Sequence, residues 1–92
     1  MDAPVHEATY DFEYDSADAA SVVERSLRRE IGEIDDDRST AALERDGRTL
    51  SVRVEAADLV ALRAATNTWL SLVDVAESAR SAGIERDRSR IA

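Results

Sequence analysis

The chain has no cysteine and no lysine, one proline, three glycines and one histidine, and only 4% of its residues are aromatic. Each absence removes a class of chemistry. Without cysteine there are no disulfide staples, no thiolate metal ligands and no thiol nucleophile. A single imidazole, His6, cannot build the ligand set of a zinc site, and the edge of a core is its simpler place. Gly32, Gly47 and Gly83 lie far apart and form no phosphate-binding loop. No apolar run approaches the ~20 residues of a membrane span, and no signal peptide opens the sequence. A soluble, cytoplasmic protein with no membrane partner is the expectation.

What remains is acidic and rich in alanine. Twenty acidic residues face twelve basic ones, all arginine, for a net charge of −8. Acid excess without lysine points to a cytoplasm of molar salt, where the Debye length falls to about 3 Å and carboxylate self-repulsion is screened. Folding is then expected to weaken as salt is withdrawn. Phosphate contacts weaken steeply with salt, so such a domain is a poor independent nucleic-acid binder. Arg25, Arg28 and Arg29 alternate with Glu24, Glu30 and Glu33, which reads as a solvated face rather than an anion site. The acidic turn over Glu33–Asp37 lacks the spaced ligands and the glycine of a calcium loop. Carboxylates are plentiful, but none lies beside another on an apolar face, as an acid–base pair requires. There is also no Ser-His-Asp order. The residues therefore assign no catalytic group, no cofactor and no metal site, and the chain reads as not an enzyme.

Ninety-two residues make one small domain with a marginal core. It is expected over residues 6–82, with flexible termini at 1–5 and 83–92. From His6 to Tyr14 apolar and polar residues alternate, the pattern of a half-buried strand. Asp15-Ser16 offers a cap for a helix over Ala17–Ile31, which Gly32 would end. Ser39–Arg45 and Arg48–Ala56 flank Asp46-Gly47, a hairpin signal. With those two residues at the tip, Leu43 pairs with Leu50 and Ala41 with Val52.

The last helix, from Asp58 as cap to Gly83 as stop, is apolar over an arc of roughly 200°, twice what a surface helix needs. Its larger groups, Leu59, Leu62, Trp69 and Val73, with Thr66 and Ala76 between them, suit the space over a sheet. Its smaller ones let a neighbouring helix approach closely. Ala61, Ala65, Thr68, Leu72, Val75 and Ala79 are therefore the candidate interface for a partner helix. The bland alternative is that alanine simply favours helix.

Strand, helix, strand, strand, helix is an α+β order. It predicts a three-stranded antiparallel sheet with both helices on one face, a ferredoxin-like unit lacking its last strand. The missing strand would leave the first strand unpaired along one edge. Ala8, Tyr10, Phe12 and Tyr14 mark that edge as the place where two copies would join into a six-stranded sheet.

On the long helix, Glu55-Ala56-Ala57-Asp58, Leu62-Arg63-Ala64 and Asn67-Thr68-Trp69-Leu70 resemble the hallmark of the Pcc-type subunit of the KEOPS complex. Arg63, Asn67, Trp69 and Leu70 carry the distinctive part, and the similarity extends over Ala8–Ala79. Ser71 stands where archaeal members often have arginine. The resemblance implies a homodimer with no cofactor, a scaffold rather than a catalyst, and a halophilic archaeal cytoplasm fits the composition. It also implies that the helices bind the complex's threonylcarbamoyltransferase subunit and so support threonylcarbamoyladenosine modification of tRNA. The kinase subunit and tRNA would be indirect partners. From the residues alone, a small dimeric RNA-binding module or a ligand-sensing regulatory domain remains the alternative.

Overall fold

The computed structural model describes residues 5–31, 33 and 38–91, with side chains as far as Ser81. Its elements are β1 (His6–Glu13), α1 (Ala17–Arg28), β2 (Ser39–Asp46), β3 (Thr49–Ala56) and α2 (Leu59–Ile91). The strands form one antiparallel sheet in the order β1-β3-β2. Both helices pack on the same face, so the fold has the two layers that the element order predicts.

Alternation sets that face. Leu43, Leu50, Val52, Val54 and Ala56 point into the core, and Phe12 and Ala41 pack against it. Trp69, Val73, Ala65 and Ala76 close it from α2, and Val23 and Leu27 from α1. Val22, in contrast, turns to solvent. Ser16 caps α1 by accepting from the Ala19 N–H at 3.1 Å. The helix stops at Arg28, three residues before the expected end, and Ile31 reaches the core from the turn that follows. Gly32, most of the acidic turn (34–37) and residues 1–4 lie outside the described residues.

The hairpin register differs from the expected one. Leu43 faces Val52 and Ala41 faces Val54, and the closing pair is Asp46–Thr49. The tip is therefore Gly47-Arg48, with only Gly47 at positive φ (+61°), the sign pattern of a type II′ turn with glycine first. Each partner moves by two, so every side chain keeps its face.

Gly83 does not end α2, which continues to Ile91. A mid-helix glycine costs only about 1 kcal/mol against alanine, and the arginines beyond it suit a C-terminal helix end. At 1.5 Å per residue this helix spans about 50 Å, against about 27 Å for an eight-residue strand. It therefore overhangs the sheet, and the molecule extends 60 × 21 × 17 Å.

Two tyrosines tie β1 to α2. The Tyr10 hydroxyl donates to Thr66 Oγ1 at 3.3 Å and the Tyr14 hydroxyl to Glu77 Oε2 at 2.6 Å. Burial first, then the hydrogen bond to Glu77, push the Tyr14 phenol well above its ordinary value. A raised value contributes stability below the unfolded-state pKa of about 10 and loses it as pH rises through the folded value. Tyr14→Phe is expected to lower stability by about 1–2 kcal/mol at neutral pH. Denaturant titrations from pH 7 to 11 should show its deficit against the parent shrinking at the alkaline end.

Candidate partner-binding surface

Asp58 anchors the start of α2. Its carboxylate accepts from the Ala61 N–H at 2.7 Å and pairs with Arg38, just before β2. The Ala61 N–H first, then Arg38, hold its pKa below the usual carboxylate range. The Ala57 N–H also donates to the Arg38 carbonyl at 2.8 Å, so the first turn of α2 is tied to the head of β2.

From that anchor α2 shows two exposed sides. One carries Val60, Ala64, Thr68, Ser71, Val75 and Ala79, with Val60 70% and Val75 64% accessible. Thr68 donates its hydroxyl back to the Ala64 carbonyl at 3.0 Å, so that polar group is satisfied within the helix. At the lower end this strip becomes a groove of about 220 Å³ between α2 and the head of β2, lined by Val60, Ala61, Ala64, Ala65 and Thr68 with Arg38 and Ser39.

The candidate interface residues are only partly on this strip. Thr68, Val75 and Ala79 are exposed on it, and Ala61 is half-buried at its margin. Ala65, only 7% accessible, belongs to the core and also lines the groove, and Leu72 packs half-buried against the core. α1 lies against α2, and its Val23 and Leu27 share the buried cluster with Ala65 and Ala76. The surface therefore rotates by one row, toward Val60, Ala64 and Ser71. The contiguous Leu59-Val60 pair was the available signal for Val60. Ser71, a small polar residue, gave none.

The other exposed side carries Leu59, Arg63, Leu70 and Asp74. Leu59 was expected over the sheet but is 56% accessible, because the first turn of α2 lies past the last strand pair at Ala56. The motif thus divides: Trp69 is 1% accessible and fills the core, whereas Arg63, Asn67 and Leu70 face outward.

The sheet has two edges, β1 and β2, and hydrogen-bond parity separates them. The Tyr14 N–H donates to the Arg48 carbonyl at 2.9 Å, continuing the β1–β3 register. In an antiparallel pair the bonded positions alternate, so Ala8, Tyr10 and Phe12 direct their backbone groups at β3. The outward N–H and C=O groups belong to Glu7, Thr9, Asp11 and Glu13. The expected edge residues Ala8, Tyr10, Phe12 and Tyr14 are thus half-buried under α2, with their backbone bonds turned inward. The same parity on β2, read from Ala57 to Arg38, turns the Leu43 carbonyl outward. There Arg28 caps it with an Nη2 donation at 3.3 Å. Glu24 holds that arginine at 2.9 Å and Arg45 also at 2.9 Å. Arg45 above all lowers the Glu24 pKa, against a smaller opposing effect of burial. The β2 edge is blunted in this way, and the β1 edge is not.

This parity yields a contrast between neighbouring variants. Thr9→Pro removes an outward N–H and should leave the monomer folded; in the homodimer proposed below it should raise the dissociation constant at least tenfold, about 1.4 kcal/mol. Tyr10→Pro removes a bond to β3 and should unfold the sheet, at a cost of about 3 kcal/mol or more. Circular dichroism with light scattering checks both.

The outer sheet face is acidic. It carries Glu7, Asp11, Glu13, Glu44 and Glu55, with Arg53 paired to both Glu7 and Glu55 and Ser51 donating to Asp11 at 2.6 Å. It has no aromatic side chain and so no stacking platform for RNA bases. Among the described residues no group of three potential ligands could hold a metal ion, and no helix is long and apolar enough to cross a membrane.

None of the curated proteins matches the chain. Residues 7–79 match the family described as transcription factor Pcc1, a span covering all three strands, α1 and most of α2. The chain belongs to that family, which is the family of the Pcc1 subunit of the KEOPS complex.

Proposed function

We propose that this chain is a non-catalytic, homodimeric scaffold subunit of KEOPS. In this reading it acts in the cytoplasm of a halophilic archaeon. Its helical layer docks helices of the complex's threonylcarbamoyltransferase subunit and thereby supports threonylcarbamoyladenosine modification of tRNA. The kinase subunit and tRNA are reached only indirectly. The observation that carries the reading is the uncovered strip from Val60 to Ala79 on a helix whose opposite side already fills the core. Small side chains there permit an interaxial distance of about 8 Å, and Val60 and Val75 supply apolar area to bury. Family membership adds the complex, and the acidic sheet face argues against RNA binding on its own.

The test is reconstitution in molar salt. The chain alone should turn over neither ATP nor threonylcarbamoyl-adenylate, and its addition should raise the rate of tRNA modification by the transferase subunit. Turnover by the purified chain that a single substitution abolishes would defeat the scaffold reading. Firm retention of the isolated chain on RNA at that salt would favour a direct RNA binder instead.

A further inference from the structure

The Val60–Ala79 strip is not uniform, because its lower end is concave. Three alanines, Ala61, Ala64 and Ala65, stand where larger side chains would fill the space between α2 and the head of β2. The opening, about 220 Å³, exceeds the ~150 Å³ in which an apolar protein cavity holds a benzene molecule. Its polar residues are already engaged. The Thr68 hydroxyl donates to the Ala64 carbonyl at 3.0 Å, Arg38 pairs with Asp58, and Ser39 is also partnered. Filling the groove therefore gains chiefly by burying apolar area. Val60 forms one wall and is 70% accessible, so the groove has no roof. A free small molecule would stay partly in water there, whereas a helix lying along the strip supplies the roof itself.

We propose that this groove is the anchor pocket of the docking surface, and that its occupant is one large apolar side chain, the size of leucine or phenylalanine, projecting from the docked partner helix. The inference rests on the scaffold reading and adds to it the feature that selects the partner. Continuity supports it: Val60, Ala64 and Thr68 belong to strip and groove alike, so a helix seated along the strip passes over the groove. The half-exposed Arg38–Asp58 pair beside it supplies the polar rim that surrounds a dry anchor in well-packed interfaces. Ala61, Ala64 and Ala65 then determine specificity, because their small size is what admits the anchor.

A double-mutant cycle in molar salt tests this, with affinity measured by calorimetry and folding by thermal unfolding. On this chain, Ala61→Leu fills the groove with apolar volume and adds no charge. Ala64→Leu, on the exposed wall, serves the same purpose if Ala61→Leu does not fold. On the transferase subunit, each large apolar residue of the docked helices is replaced by alanine in turn. The filled groove is expected to bind at least about tenfold more weakly, and one partner truncation to cost a similar factor. That truncation should cost nothing further once the groove is filled. Parent-like binding by a folded, filled chain overturns the anchor pocket and leaves the scaffold reading standing. So does a truncation series in which every loss adds to that of the filled groove. A parent chain that does not bind the subunit overturns both.

Discussion

Trp69→Ala is expected to unfold most of the population, and with it to abolish the dimerisation and partner binding proposed above. Trp69 is 1% accessible and the largest fully buried side chain, set among Leu50, Val52, Val54, Val23 and Leu27. Removing a buried tryptophan costs about 3–5 kcal/mol in transfer and cavity terms. Small domains begin with only about 5–15 kcal/mol in total, and a 92-residue chain without cysteine for a disulfide belongs at the low end. The asymmetry within the motif sharpens the expectation. Leu70, next in sequence, is 37% accessible and should cost far less stability when truncated. Thermal unfolding of both variants at one salt concentration checks this; equal losses would mean that the motif does not divide between core and surface.

The second large effect separates two adjacent alanines. Ala65→Glu places an unpaired carboxylate and added volume where 7% of the residue is accessible, and should cost about 3–5 kcal/mol. Ala64→Glu adds the same side chain one position earlier, on the exposed strip beside the groove. Its effect on folding should stay within about 0.5 kcal/mol. Sequence reasoning pointed to Ala65 as the middle of the partner seam. The structure buries that position in the core cluster with Val23, Leu27 and Trp69, so a charge at 65 should strike the fold before any partner is met.

The contrast shows which features were legible. The antiparallel sheet followed from the order of elements, and the buried face of every strand from alternation, because a period of two leaves no doubt about sides. The register was displaced by two residues, since Asp46-Gly47 and Gly47-Arg48 both accept a glycine-bearing tip and preserve the same faces. Which backbone groups stand free on β1 depends on its pairing with β3, a relation no local pattern in His6–Glu13 contains. On α2 small and apolar residues surround most of the helix, so the core side waits on where α1 lies. Ala65 looks like a surface alanine until that neighbour is in place, whereas Ala76 already falls on the sheet side. Gly83 shows the limit of stop signals: glycine permits a helix end, and without the local geometry of one the chain simply continues.

The central claim is that the exposed strip of α2 recruits another KEOPS subunit, and the affinity of the chain for the threonylcarbamoyltransferase subunit in molar salt tests it most directly. Measured by calorimetry, the parent chain should bind, and Ala64→Glu should bind at least a hundredfold more weakly, about 2.7 kcal/mol, with its unfolding temperature nearly unchanged. Parent-like binding by a folded Ala64→Glu chain would contradict the account, as would a parent chain that does not bind the subunit at all.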